Sequence, residues 1–380
     1  MMPTSHRASE RPLAVRCGAF GDMVLITSLI RVLHARFGRP VDVVTSGPWS
    51  EPLLRGQPGV GEIWSVRSRK TPYWLSADQR HVVRQLRARG VSPTWFCDAD
   101  DAARPLLKRA GIPPEFIVDV KDHPLLAGEH ATEQWRRIAQ ITPAAIAPLV
   151  GVAARAGTAP LADVLTVSGA APRPGPADNF DLSTVAPGCY LEVSDAQRAD
   201  LGAWLKARGL DAAPMILIQA GNKRTMRRGL RRLAVNAKYW PNDRWAAVLR
   251  NLREQCPRHA IVLLGTGPEF VLNQEIAALA NVARLYNAAD DLPIPRLVAL
   301  LAQAAGLVTV DSGPAHAAAA VGCPQVVLFG KALPSLYRPW GIAGAESKVL
   351  CGQIDGVPDM LGIRTQDVID AWADLKLREG

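Results

Sequence analysis

The alternation of short apolar segments with longer amphipathic segments is the feature that most constrains how this chain folds. The first apolar segment, Pro12–Cys17, precedes a segment with helical spacing, Asp22–Phe37. The same alternation resumes at Met215–Gln219 and continues toward the end of the chain. Strands that alternate with helices are typical of parallel sheets covered by helices. We therefore predict the α/β class, with a parallel sheet in each half of the chain.

The length of the chain predicts two domains. It has 380 residues, and a single hydrophobic core stops growing at about 250–300 residues. We predict an N-terminal Rossmann-like domain over 12–190 and a C-terminal one over 191–350, followed by a C-terminal segment, 351–380. The polar residues 1–11 predict a disordered tail. Pro, Ala and Gly dominate 142–189, which predicts a loop and a linker in the first domain.

Charge and composition bear on the partners. The formal net charge is +9, which favours nucleic acid, anionic lipid or phosphorylated ligands, or only aids solubility. The sequence lacks helix-turn-helix, zinc-finger and RNA-platform signatures, which argues against nucleic acid. It also lacks an apolar run of about 18 residues and an apolar secretory signal at its start. The six cysteines form no C-x-x-C pair, which argues against a zinc ribbon and fits a cytoplasmic location.

The turn after the first predicted strand brings a carboxylate to the start of a helix. It reads Gly18-Ala19-Phe20-Gly21-Asp22 and departs from the G-x-G-x-x-G of dinucleotide-binding folds. Glycine lets the backbone approach a ligand closely, and Asp22 could accept a proton from an attacking hydroxyl. The alternative is that Asp22 only complements the dipole of the helix.

A second strand end carries a more specific string. It reads Asp311-Ser312-Gly313-Pro314-Ala315-His316 and is followed by alanines. Proline suits the first helical turn, and serine or glycine suits the cap. The free N–H groups of such a helix start bind phosphate readily. The alternative is a plain strand-to-helix turn with a packed histidine.

Two further strings bring cations and glycines to strand ends. Lys238 precedes a predicted helix and could meet a phosphate, or it is solvated surface. The basic segment 222–232, which begins after Gly221, could close over a diphosphate or be a solvated insert. The turn from Gly265 through Thr266 to Gly267 could accept a nucleotide or be a tight connection.

Together these strings resemble glycosyltransferase family 9, the bacterial lipopolysaccharide heptosyltransferases. The resemblance runs nearly continuously from Met215 to about Pro339, and it is good over 13–46. The strings that carry it, in the order of the family, are Arg16-x-x-Ala19-Phe20-Gly21-Asp22-Met23-Val24-Leu25, then Lys238-x-Trp240-Pro241-x-x-Arg244-Trp245, then Leu264-Gly265-Thr266-Gly267 with Glu269, and finally Asp311-Ser312-Gly313-Pro314-x-His316-x-Ala318-Ala319-Ala320-x-Gly322-x-Pro324 through Phe329-Gly330.

The resemblance implies a GT-B fold, in which two Rossmann-like domains with parallel sheets face each other across a cleft. It implies inversion by direct displacement, no metal and no cofactor besides the nucleotide-diphosphate sugar donor, and a last helix that crosses back to the N-terminal domain. Carried onto this chain, Asp22 would be the general base and Lys238 would stabilise the departing diphosphate. The donor-binding residues would be Gly21, Gly221, Gly265, Thr266, Gly267, Asp311, Ser312, Gly313, Pro314 and His316.

The predicted function is transfer of a sugar, heptose from ADP-heptose in the specific form, to a lipopolysaccharide-core or related glycan acceptor. The predicted location is the cytoplasm, with peripheral contact to the anionic inner face of the inner membrane. Three alternatives stay open: a transferase with a protein or small-molecule acceptor, a nucleotide-sugar epimerase, and an inactive nucleotide-sugar-binding module.

Overall fold

The computed structural model describes residues 11–147, 180–222 and 236–378. The chain divides into two compact units, Met1–Pro187 and Gly188–Gly380. Three predicted segments lie largely outside the described residues: the tail, the Pro/Ala/Gly-rich segment and the basic insert. None of the helices in the described ranges combines the length and the hydropathy that crossing a bilayer requires.

The first unit is built on a five-stranded parallel sheet with the order β3-β2-β1-β4-β5. Successive strands are added first on one side of β1 and then on the other, so β1 and β4 flank the point where the strand order reverses. Ligands of open α/β sheets bind at the carboxyl ends of the strands beside such a point. The strands are β1 (Leu13–Arg16), β2 (Val41–Ser46), β3 (Val60–Val66), β4 (Thr94–Phe96) and β5 (Ile117–Asp119).

Helices cover this sheet and bury their apolar faces on it. The single helix predicted over Asp22–Phe37 is two helices that meet at Ile26. The hydroxyls of Thr27 and Ser28 donate to the carbonyls of Val24 and Leu25, and such bonds bend a helix. The helices of this unit are α1 (Phe20–Leu25), α2 (Thr27–Phe37), α3 (Ser50–Leu54), α4 (Ala77–Arg89), α5 (Arg104–Ala110) and α6 (Ala131–Ala139).

The second unit is built on a six-stranded parallel sheet with the order β11-β10-β9-β6-β7-β8. Its strand order reverses between β6 and β9, which are paired in parallel. The strands are β6 (Met215–Gln219), β7 (Ala260–Leu263), β8 (Leu285–Asn287), β9 (Gly306–Val310), β10 (Gln325–Phe329) and β11 (Ser347–Cys351). A separate antiparallel hairpin joins β12 (Gln353–Ile354) to β13 (Val357–Pro358).

The second unit also contains helices between its strands. Ser194 caps the first of them through a reciprocal pair of hydrogen bonds with Gln197. The helix that follows Lys238 begins at Asn242, with Pro241 at its cap position. The helices are α7 (Asp195–Lys206), α8 (Asn242–Gln255), α9 (Phe270–Ala280), α10 (Ile294–Gln303), α11 (Gly313–Ala320), α12 (Pro334–Tyr337) and α13 (Thr365–Ala373).

The last helix, α13, packs into the core of the second unit. The resemblance implies a helix that crosses back to the N-terminal domain, but the buried Val368 and Trp372 belong to the same apolar cluster as the strands of the second sheet. A Cβ atom built on Gly306 of β9 would lie 2.9 Å from the Trp372 ring. This tight apolar contact ties α13 to the second sheet.

Candidate functional site

Asp22 lies in the first turn of α1, directly after β1. One carboxylate oxygen, Oδ2, accepts the backbone N–H of Ala19 at 2.8 Å. The other, Oδ1, accepts Nη2 of Arg16 at 2.7 Å. The side chain is 35% exposed. Both oxygens are therefore held in place while the carboxylate still meets solvent, which is the arrangement that a proton acceptor for an incoming hydroxyl needs.

Arg16, the last residue of β1, is the residue that orients Asp22. Its Nη1 donates to the carbonyl of Cys97 at 2.6 Å, and its guanidinium lies 5.5 Å from the ring centre of Trp135. Burial would lower the pKa of Arg16, but the charge and hydrogen bond of Asp22, together with the charges of Cys97 and Asp98, raise that pKa overall. Asp22 therefore has a fixed and permanently charged neighbour.

Glycine is required beside this carboxylate. A Cβ atom on Gly18 would lie 2.4 Å from Cβ of Asp22, closer than real side chains approach. Gly21 lies in α1 next to Asp22 and is partly exposed. The sharp turn after β1 thus brings the carboxylate back over the end of the strand.

Lys238 and Asp311 meet at the carboxyl end of β9. Nζ of Lys238 lies 2.6 Å from Oδ2 of Asp311 and donates to the backbone carbonyl of Asp311 at 2.8 Å. The Asp311 side chain is 9% exposed, whereas the Lys238 side chain is 31% exposed. The pair therefore presents its cation, rather than its acid, to solvent.

Helix α11 begins beside this pair. Ser312 occupies the cap position, but its side chain does not cap the helix, because Oγ lies 3.1 Å from Oγ1 of Thr309. Gly313 and Pro314 form the first turn, and His316 is buried one turn further on. The first N–H groups of a helix carry partial positive charge, so a start without a side-chain cap can receive an anion.

The neighbouring strand ends carry a buried carboxylate, Glu269. Its Oε2 accepts both the N–H and the hydroxyl of Thr266 at 2.8 Å, and Oε1 accepts Nε2 of Gln219 at 3.2 Å. Burial raises the pKa of Glu269, although the bonds from Thr266 and Gln219 lower it. A Cβ atom on Gly221 would lie 2.2 Å from Oε1 of Glu269. Glu269 thus holds the turns after β6 and β7 together.

The predicted residues of the second unit therefore lie along one edge of one sheet. Gly221 follows β6, Asp311 follows β9, and Lys238 contacts Asp311. The turn Gly265–Gly267 follows β7, which pairs with β6. Its two glycines differ, because Gly265 packs against Ala289 and Glu269 while nothing lies within 4 Å of a Cβ atom built on Gly267.

Sequence reasoning missed the supporting residues of both edges. Arg16, Gln219 and Glu269 occur in or next to the motifs, but no role followed from their letters. A usable signal was available at Arg16 and Gln219, because a charged or amide side chain as the last residue of a buried strand needs a hydrogen-bonding partner. The partner itself comes from a neighbouring segment, so the pairing required the structure.

Comparison with known proteins supports the resemblance over the second unit. Residues 190–353 match the family model "Glycosyltransferase family 9 (heptosyltransferase)". Lipopolysaccharide heptosyltransferase 2 of Escherichia coli K12 is 32% identical over 106 residues, which are 27% of this chain and 30% of that protein. Lipooligosaccharide heptosyltransferase 2 of Haemophilus influenzae is 29% identical over 148 residues, 38% of this chain and 42% of that protein. The alignments thus span 30% and 42% of the lengths of these two relatives.

Solved structures are similar to the chain over nearly its whole length. The E. coli ADP-heptose lipopolysaccharide heptosyltransferase II has a TM-score of 0.65 at 20% identity, with 96% of this chain and 97% of that chain covered. A family 9 glycosyl transferase from Veillonella parvula has a TM-score of 0.69 at 17% identity, with 97% of each chain covered. At these identities the likeness concerns the fold, and it confirms the predicted GT-B class of two α/β domains with parallel sheets.

The motif strings, the edge of the second sheet and the family model agree on one segment of the chain. Residues 190–353 are therefore similar to the family that the sequence motifs indicate, glycosyltransferase family 9 (heptosyltransferase).

Proposed function

We propose that the chain transfers a sugar from a nucleotide-diphosphate sugar to a glycan acceptor. In its specific form the donor is ADP-heptose and the acceptor is a lipopolysaccharide core or a related glycan. The family match over 190–353 and the names of the aligned heptosyltransferases support this choice. Because such an acceptor is lipid-linked, we also propose that this protein is cytoplasmic and acts at the inner face of the inner membrane.

The observation that carries the proposal is the contact between Lys238 and Asp311 beside the start of α11. A partly exposed ammonium and a helix start without a side-chain cap together form a site for a diphosphate. Asp311 holds Lys238 in position through two of its oxygens. Charge that develops on the departing diphosphate would be stabilised by groups already in place, which is the largest single contribution in many enzymes.

The reaction that we propose is a direct displacement. The acceptor hydroxyl oxygen bonds to the anomeric carbon on the face opposite the leaving group, which inverts that carbon. The bond from that carbon to the diphosphate oxygen breaks, and its electron pair leaves with the diphosphate. The hydroxyl proton passes to the carboxylate of Asp22, a step that contributes about 10²–10⁴-fold in rate. Lys238 and the amides of α11 supply the positive charge, so the proposal includes no metal.

The test is a donor screen followed by a transfer assay on the full chain. Binding of ADP, UDP, GDP and TDP is measured by calorimetry, and transfer is measured with ADP-heptose and a heptose-deficient lipopolysaccharide core. We expect preference for ADP and a product with inverted anomeric configuration. Binding of UDP or GDP alone would mean that the donor is a UDP-sugar or a GDP-sugar rather than ADP-heptose. Binding of none of the four nucleotides would contradict the proposal as a whole.

A further inference from the structure

An exposed apolar pair stands beside a basic helix in the first unit. The pair, Trp74 and Leu75, lies in a 3-10 turn, Tyr73–Leu75, directly before α4. Trp74 is 74% exposed and Leu75 is 59% exposed, and no large hydrophobic side chain among the described residues is more exposed than Trp74. Exposing this much apolar surface is unfavourable in water, so it indicates an interaction site.

The turn that carries the pair is fixed to the unit. Nη1 of Arg80 donates to the carbonyl of Trp74 at 2.5 Å and to the carbonyl of Tyr73 at 3.4 Å. The Tyr73 ring packs against the core of the unit, and the guanidinium of Arg109 lies 4.7 Å from its centre. Trp74 and Leu75 are therefore presented to solvent by an anchored backbone.

The outer face of α4 is basic. Its buried face consists of Gln79, Val82, Val83 and Leu86, so His81, Arg84 and Arg87 lie on the exposed side. Residues 67–89 contain seven Lys or Arg and a single acid, Asp78. Two of these cations, Arg69 and Arg89, are paired with acids from other segments. That carboxylate already accepts the N–H of Arg67 at 2.5 Å and the hydroxyl of Ser76. Within the described ranges, no ion pair joins Arg84 or Arg87 to an acid.

A groove connects the apolar turn to the basic face. It has a volume of about 320 Å³ and is lined by Tyr73, Ala77, Arg80 and Arg84. Two arginines and an aromatic ring thus line a space that a phosphate-bearing headgroup could enter. The apolar pair and the cations consequently belong to one continuous surface.

We infer that this surface docks the first unit on an anionic lipid bilayer. The docking face consists of Trp74, Leu75, Arg80, Arg84 and Arg87. Tryptophan favours the boundary between headgroups and acyl chains, and arginine is attracted to anionic headgroups. A soluble anionic ligand would engage the arginines but would leave Trp74 and Leu75 in water, whereas a bilayer accommodates both. The inference rests on the proposed function, because it names the surface by which the protein would reach the inner face of the membrane. Its test is separate, since vesicle binding needs neither donor nor acceptor and can fail while transfer succeeds.

Vesicle sedimentation with the full chain tests the inference. We expect binding to phosphatidylcholine vesicles that contain phosphatidylglycerol, and little binding to phosphatidylcholine alone. The double variant R84Q/R87Q should bind about thirtyfold more weakly, because each basic residue near an anionic surface contributes about fivefold. The double variant W74A/L75A should bind about tenfold more weakly. Both sites are exposed, so far-UV circular dichroism should match the parent chain.

The matched control removes two exposed cations elsewhere. K206Q/R258Q loses the same charge on the second unit and should bind like the parent chain. Equal losses in both charge variants would overturn the inference in favour of general attraction by the net charge. Absence of binding by the parent chain, or parent-like binding by W74A/L75A, would also overturn it. Release by inorganic phosphate beyond the effect of sodium chloride at equal ionic strength would instead assign the groove to a soluble anion.

Discussion

The carboxyl edges of the two sheets each carry an ion pair, and the two pairs expose opposite charges to solvent. At the edge of the first sheet, the acid Asp22 is 35% exposed and its partner Arg16 is 16% exposed. At the edge of the second sheet, the cation Lys238 is 31% exposed and its partner Asp311 is 9% exposed. In each pair the more buried member orients the more exposed one. One edge therefore offers a negative charge to a ligand and the other edge offers a positive charge.

This difference agrees with the separate roles that we propose for Asp22 and Lys238. An accessible carboxylate can take a proton, and an accessible ammonium beside a helix start can receive a phosphate. The N–O distances of the two pairs are nearly equal, 2.7 Å for Arg16 with Asp22 and 2.6 Å for Lys238 with Asp311. Such distances also occur in ordinary surface ion pairs. Exposure, rather than distance, distinguishes the functions that we propose for them.

The largest expected effect comes from removing the exposed acid. Asp22→Asn keeps the shape of the side chain but cannot take the acceptor proton, so transfer should fall about 10²–10⁴-fold. Donor affinity, measured by calorimetry, should stay unchanged. Asp195→Asn is the matched control, because Asp195 also lies in the first turn of a helix and is fully exposed. Equal transfer rates for the two variants would mean that Asp22 only complements the dipole of α1.

Removing the exposed cation should have the next largest effect. Lys238→Met retains length without charge, and transfer should fall about 10²–10³-fold because one preorganised positive group is lost. Affinity for the nucleoside diphosphate should fall as well. The variant also leaves the buried Asp311 without its cation, so the protein should be less stable to urea.

The double variant K238M/D311N separates these two consequences. Its buried amide needs no cation, so stability should recover relative to Lys238→Met while transfer stays low. Recovery of transfer together with stability would show that Lys238 acts only through the fold.

A smaller effect is expected when the buried partner of the acid is replaced. Arg16→Gln removes the bonds to Cys97 and Asp22, and the free energy of unfolding should fall by about 1–3 kcal/mol. Urea unfolding measures this change. Arg55→Gln breaks an exposed ion pair with Glu51 and should change the free energy of unfolding by less than about 0.5 kcal/mol. Similar losses in both variants would contradict the buried role of Arg16.

The smallest effect concerns Glu269 and the pH. Burial raises the pKa of Glu269 in the folded chain, so its contribution to stability is fully present below about pH 4 and is lost as the pH rises through the folded pKa. The free energy of unfolding of Glu269→Gln minus that of the parent chain should therefore increase as the pH rises from about 4 to 7, because only the parent loses stability over this range. A difference that is constant over this range would contradict the raised pKa.

Much of the fold could be predicted from the sequence, because several strands are followed directly by glycine, as at Gly47, Gly330 and Gly352. The string from Asp311 to His316 predicted a strand-to-helix turn, and the structure has α11 beginning at Gly313. The predicted helix after β1 was wrong in one respect, since the hydroxyls of Thr27 and Ser28 introduce a break that apolar periodicity does not reveal.

The residues of the candidate site could be predicted from the sequence, but the contacts between them could not. Lys238 and Asp311 are 73 residues apart in the chain, and they come into contact only in the folded second unit. The role of Glu269 depends on Gln219, the last residue of β6, and on Gly221 in the turn that follows it. Spacing in the sequence carries no information on such contacts, because they arise from the order of strands in the sheet.

The two turns that flank Glu269 set different limits on laboratory evolution of this protein. At position 221 the carboxylate of Glu269 occupies the space that any side chain would enter, so a randomised library should return glycine there. Position 267 faces open space, and many residues should be accepted. Libraries that aim at altered donor preference can therefore vary position 267 in the turn after β7, but position 221 in the turn after β6 must stay glycine.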